Sequence, residues 1–150
     1  MPVRLDVTDA ASEPAGLAAA PLDPIAVTEG AVRATLSDRG IDDARLSVTL
    51  LPDAAMTSMN REWKGRDAPT DVLAFALHEP GEPPIGDIYI GLERALEQAA
   101  ELDEAPDREL ARLAIHGTLH VLGWDHPEED REGSEMWSHQ ERILAGVRPG

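Results

Sequence analysis

Apolar and polar residues alternate over Val3–Val7, where Val3, Leu5 and Val7 are set against Arg4 and Asp6. This two-residue period predicts a half-buried strand. The period returns over Arg45–Leu51 through Leu46, Val48 and Leu50, and the β-formers of Thr70–Leu77 and Ile85–Ile90 predict two more strands. Helical signals lie between and after them. Asp23 is placed to cap a helix with Pro24 at its first position, Ile25, Val32 and Leu36 on one face, and Gly40 as its stop. Pro52-Asp53 opens a short helix with the stripe Met56, Met59 and Trp63. Leu92, Ala95, Leu96, Ala99 and Leu102 follow helical spacing. Pro106 begins a further helix, with Asp107 and Glu109 near its positive end. That helix is apolar nearly all round from Leu110 to Leu122, which predicts burial, and Gly123 can end it. A last amphipathic helix is predicted over Glu128–Leu144. Residues 10–21, rich in Ala and Pro, read as a loose connection, and Glu79–Pro84 as a hairpin or loop. Strands come early and helices late, which predicts an α+β fold: a small sheet packed with about five helices in a single domain over residues 1–150.

Composition narrows the chemistry. A chain of 150 residues, 42% apolar and 28% charged, is long enough for its own core. It has no cysteine, which excludes disulfides, thiolate zinc sites, iron–sulfur clusters and cysteine nucleophiles. No apolar run approaches the roughly 20 residues that span a bilayer, so a cytoplasmic protein is expected and no membrane partner. The net charge of −16 means that bulk charge does not hold the chain on DNA or RNA; phosphate contact requires a local basic patch.

The sharpest feature is His116-Gly-Thr-Leu-His120-Val-Leu-Gly-Trp-Asp-His126. His116 and His120 are four apart on the predicted helix, so both rings leave one face. Gly123 lets the chain leave the helix, and His126 can fold back to complete a set of three imidazoles. Three imidazoles suit one Zn²⁺ and leave a position open for water or substrate, and zinc lowers the pKa of its bound water to about 7. The plainer reading is a pair of buried structural histidines. Three of the chain's five histidines within eleven residues favour a metal site. The spacing resembles the His-Glu-x-x-His of zinc proteases, but their glutamate base is here Gly117, so peptide hydrolysis by that route is not expected. Asp125 can orient a ligand or be a turn residue, and Asp87 can be structural or face the metal. His78 and His139 read as structural or solvent-facing.

Asn60–Asp71 concentrates Arg61, Lys64 and Arg66, with Trp63 able to stack on a base. The cluster can bind phosphate, or it can merely complement a helix C-terminus. Three blocks then share one resemblance: Met59-Asn60…Trp63…Asp67-Ala-Pro-Thr-Asp-Val-Leu-Ala-Phe75, Ile85-Gly-Asp-Ile88 and the His116–His126 motif. Together they resemble the bacterial YbeY family of rRNA maturation endoribonucleases. The resemblance implies an α+β fold with a mixed four-stranded sheet. It implies a single-strand-specific, metal-dependent endoribonuclease of 16S rRNA 3′-end maturation and ribosome quality control. One Zn²⁺ would be held by His116, His120 and His126. The implied partners are precursor small-subunit rRNA, small-subunit ribosomal proteins and an Era-type GTPase. The family's cleft arginine corresponds to Lys64, which keeps the charge but not the planar fork, and the family's usual serine before Phe75 is Ala74. The catalytic candidates are thus His116 and Lys64, with Arg61, Lys64 and Arg66 as the RNA-binding set. The alternative is a ribosome-assembly factor with a mainly structural metal, whose acidic surface suits basic ribosomal proteins.

Because ligand histidines bind metal only when neutral, zinc occupancy is expected to fall as pH drops through their protonation range. Equilibrium dialysis across pH 8 to about 5 measures this, and occupancy unchanged at the acid end is incompatible with an all-histidine site.

Overall fold

The Asp23 carboxylate accepts a hydrogen bond from the Ala26 amide at 3.2 Å, with Pro24 in the first helical turn. Helix α1 (Pro24–Asp38) starts there and ends where Gly40 takes φ +71° and the Ile41 amide donates back to Leu36 at 2.8 Å. The computed structural model describes residues 3–11, 23–65, 70–124 and 134–147. The remaining elements are strands β1 (Val3–Asp9), β2 (Ala44–Leu51), β3 (Val72–Ala76) and β4 (Ile85–Gly91), and helices α2 (Asp53–Lys64), α3 (Leu92–Glu101), α4 (Pro106–Val121) and α5 (Glu135–Gly146). The expected α+β layout of four strands and five helices is present; the loose connection expected at residues 10–21 lies largely outside the described residues.

The sheet order is β1-β2-β4-β3. β1, β2 and β4 run parallel, and β3 is antiparallel to β4 with Val72 opposite Ile90 and Ala76 opposite Gly86. One face of the sheet, formed by Leu46, Val48, Leu50, Ile88 and Ile90, is fully buried. On the other face Arg4, Asp6, Arg45 and Ser47 stand in solvent. This is the alternation visible in the sequence, with the apolar set turned towards the helices.

Helix α4 runs through the core, packed between the sheet and helices α1, α3 and α5. Two glycines set how closely it lies on the sheet. A Cβ at Gly117 would stand 2.7 Å from Ile88 Cγ2 and 3.2 Å from Val72 Cγ2. A Cβ at Gly86 on β4 would stand 2.6 Å from Val121 Cγ1 and 2.9 Å from the Phe75 carbonyl. The helix backbone therefore rests directly on β3 and β4.

Several expectations are corrected. Ile25 lies on the flank of α1 and is 38% exposed. The packed face runs instead through Val27, Thr28, Ala31, Val32, Thr35 and Leu36. Thr35 enters the core because its hydroxyl donates to Ala31 O at 2.8 Å. Helix α2 meets the sheet through Met56, next to Gly91, so only the start of its stripe is covered. Asn60 is buried there, while Trp63 is 59% exposed. Leu102 falls past the end of α3, where Asp103 turns the chain with φ +55°, and is exposed. β3 is shorter than Thr70–Leu77. α5 (Glu135–Gly146) is capped by Ser134, which is extended and whose hydroxyl accepts from the Trp137 amide at 3.2 Å, and residues 128–133 of the expected helix lie outside the described residues.

Gly117→Val is expected to lower stability by about 1–3 kcal/mol through overpacking against Ile88 and Val72. Urea unfolding measures it, and an unchanged midpoint is incompatible with the close contact.

Candidate metal and catalytic centre

The two helical histidines converge. His116 is buried and His120 half-buried, and their Nε2 atoms are 3.1 Å apart, with ring centroids separated by 4.7 Å. Two nitrogens at zinc–nitrogen distance in a tetrahedral shell stand about 3.3 Å apart, so the pair fits one divalent ion without rearrangement. Among the described residues no group of three or more His, Cys, Asp or Glu side chains is gathered for a metal. The third ligand expected from the motif, His126, and its neighbour Asp125 lie outside the described residues.

The chain leaves α4 as the sequence predicts. Gly123 takes φ +99°, and the Trp124 amide donates to Leu119 O at 3.0 Å. Trp124 then lies 4.7 Å, ring to ring, from His139, with the Arg39 guanidinium 5.5 Å from its centroid. His139 Nδ1 faces Arg39 Nη1 at 3.3 Å and Arg142 Nη2 at 3.0 Å, and Arg142 forks onto Asp38 at 2.6 and 3.0 Å. His139 is thus a structural residue that pins the exit of α4 to α1 and α5. Its role depends on contacts from α1, which is distant in sequence. His78, at the end of β3, exchanges contacts with the Ile85 backbone through Nδ1.

Gly117 also disposes of the protease analogy. Its position faces Ile88 and Val72 in the core, so no side chain there reaches the histidine face. Asp87 alternates with Ile88 on β4, and Ile88 is the residue that meets α4. The Asp87 carboxylate therefore projects from the opposite face of the sheet, away from the histidine helix. Asp71 precedes β3, accepts from Gln98 Nε2 at 3.3 Å and bonds Gly91 N through its carbonyl at 2.9 Å, a structural role.

Arg61 and Lys64 occupy the exposed last turn of α2, which Gly65 closes with φ +70°. Arg66 lies outside the described residues. Between Arg61 and Lys64, Trp63 meets Phe75 edge-on at 5.6 Å, and Phe75 meets Tyr89 at 6.1 Å. The basic turn is therefore seated on β3 through Phe75, on the face of the sheet shared with Tyr89 and Asp87 and opposite the one that Val72 presents to Gly117.

The sequence reading passed over a polar cluster at the other end of α4. Arg112 lies one turn before His116 and uses all five of its N–H groups. Glu104 accepts at 2.6 and 3.0 Å, Glu141 at 2.9 and 3.2 Å, and buried Glu109 also accepts. Hydrogen bonding to Arg112 holds the Glu104 carboxyl below the usual range, whereas burial pushes Glu109 up despite the same arginine. The guanidinium itself is raised, chiefly by Glu104. A charged residue on an otherwise apolar helix, in register with the histidines, was the one available signal.

A sequence model described as Endoribonuclease YbeY matches residues 23–148. The chain belongs to the YbeY family. A curated Endoribonuclease YbeY from Bacillus licheniformis is 37% identical, covering 96% of this chain and 94% of its own. One from Persephonella marina is 40% identical over 79% of this chain and 80% of its own, and one from Moorella thermoacetica 47% over 70% and 74%. The solution structure of a Thermotoga maritima protein is similar with a TM-score of 0.61 at 27% identity, covering 93% of this chain and 86% of that one. No helix among the described residues is long and apolar enough to cross a membrane.

Because Glu104 is held below its ordinary value of 4.5, the stability it contributes is present above that value and lost as pH falls through and below it. The stability gap between wild type and Glu104→Gln is expected to be widest near neutrality and to narrow as pH falls below 4.5. Urea midpoints across pH test this, and a gap that widens on acidification contradicts the sign.

Proposed function

We propose that this YbeY-family chain is a single-strand-specific, zinc-dependent endoribonuclease that acts on the 3′ end of precursor 16S rRNA in the cytoplasm. The observation that carries the reading is the pair of imidazole nitrogens 3.1 Å apart at the end of a buried helix, in the motif that supplies His126 six residues later. One Zn²⁺ bound by His116, His120 and His126 would supply Lewis acidity towards a phosphodiester oxygen. The chain's own residues do the rest. His116 and His120 present Nε2 from a helix that cannot shift on the sheet. Lys64 and Arg61 stand on an exposed turn and neutralise phosphate charge in the transition state, joined by Arg66. Trp63 offers an exposed face for base stacking. Lysine in place of a guanidinium makes phosphate positioning less directional. Small-subunit ribosomal proteins and an Era-type GTPase are the proposed protein partners.

The test is cleavage of a precursor small-subunit rRNA 3′ fragment by the purified chain beside His120→Ala, with folding followed by circular dichroism. Wild type is expected to cut and the folded variant to lose cleavage. Ends carrying a 5′-phosphate identify water as the nucleophile, and a 2′,3′-cyclic phosphate identifies the RNA 2′-OH. Equal cleavage by both proteins, or by neither, overturns the reading in favour of an assembly factor.

A further inference from the structure

Helix α5 buries Met136, Gln140, Ile143 and Leu144, a helical stripe with one polar member. Gln140 is 1% exposed. An amide buried without partners costs stability, so its contacts account for its presence among apolar neighbours. Its amide meets His116 Nδ1 at 2.6 Å through Oε1 and Glu141 Oε2 at 3.0 Å through Nε2.

The chemistry of the partners orients this chain of bonds. The Glu141 carboxylate is clamped by Arg112 at 2.9 and 3.2 Å. As a carboxylate it only accepts, so the amide nitrogen of Gln140 must face it. The amide oxygen then faces His116 and also only accepts, so Nδ1 of His116 carries the proton. His116 Nε2 is left with its lone pair, directed at the 3.1 Å meeting point with His120. Arg112 is itself anchored by Glu104 and Glu109, so the guanidinium that clamps the Glu141 carboxylate is held by three carboxylates.

We propose that Gln140 is a positioning residue for the metal centre: it fixes the tautomer and ring orientation of His116, and Arg112 and Glu141 lock Gln140 in the one amide orientation that does so. The proposal rests on the metal-binding reading above. An acceptor on the far nitrogen of a metal-bound imidazole commonly changes metal affinity 10–100-fold.

The experiment measures Zn²⁺ affinity of the full chain by competition with a chromophoric chelator at fixed pH. The variants are Gln140→Met, which keeps the volume and removes the acceptor, and the swap Q140E/E141Q, which keeps net charge and returns an acceptor to Nδ1. Long-range ¹H–¹⁵N spectra of the metal-free proteins report the His116 tautomer, and thermal unfolding reports the fold. Gln140→Met is expected to bind zinc about 10–100-fold more weakly and to show a mixed tautomer. The swap is expected to restore both the Nδ1–H form and most of the affinity. Undiminished zinc affinity in folded Gln140→Met overturns the proposal, as does a swap variant with weak affinity. Should Gln140→Met not fold, the swap decides by the same criterion. A wild-type chain that binds no zinc overturns the metal reading as well, and so is distinguishable from a failure of positioning alone.

Discussion

Helix α4 lies directly on β3 and β4 because Gly117 and Gly86 carry no side chain at the two points where helix and sheet meet. Everything at the centre follows from that contact. With Gly117 facing the sheet, the helical rotation fixes where His116 and His120 emerge, and their Nε2 atoms meet at 3.1 Å. Residues on every side of the helix are buried, from Glu109 to Leu119 without a break. A histidine pair on such a helix has little freedom to splay, which is the preorganisation that metal binding needs. The same contact explains why the position after the first histidine cannot hold an acid: it belongs to the core.

Burying α4 from all sides also forces its polar residues to find partners. Arg112 does so by gathering carboxylates from the α3–α4 connection, from its own helix and from α5. A buried ion cluster of this kind is not a large net source of stability, because desolvation offsets much of the attraction. Its consequence is geometric. It orders Glu141, which orders Gln140, which meets His116. At the other end of α4, Trp124, Arg39, His139 and Arg142 tie the helix exit to α1 and α5. The helix that carries the histidines is thus held at both ends by polar contacts and along its length by apolar ones.

Membership of the YbeY family and this geometry bear on different properties of the chain. The matches speak to what relatives of this chain are named for. The geometry speaks to what two of the three motif histidines can do, and the basic turn of α2 packs through Trp63 on the other face of the sheet from their helix. Ala74 packs on the helix-facing side of β3 with Val72, so its small size belongs to the core contact. Lys64 lies in the exposed turn, where the choice between lysine and arginine is a matter of phosphate geometry rather than packing.

The sequence alone determined the elements whose signals are local. Alternation marked the strands, Asp23-Pro24 and Pro106 marked helix starts, and Gly40 and Gly123 marked stops, because caps and φ preferences act within a few residues. The i, i+4 histidines and the family motif were legible for the same reason. Tertiary structure decided the rest. Burial of Thr28, Thr35 and Asn60, exposure of Ile25 and Trp63, and the side of the sheet taken by Asp87 depend on which element covers which face. The cap of α5 at Ser134 is a local signal of the same kind, a serine hydroxyl that accepts from the Trp137 amide. The partnerships of His139 with Arg39 and of His116 with Gln140 join residues 100 and 24 positions apart, and no local pattern encodes them. They exist because α1, α4 and α5 pack together, and a buried polar group must then find its partner in space rather than in sequence.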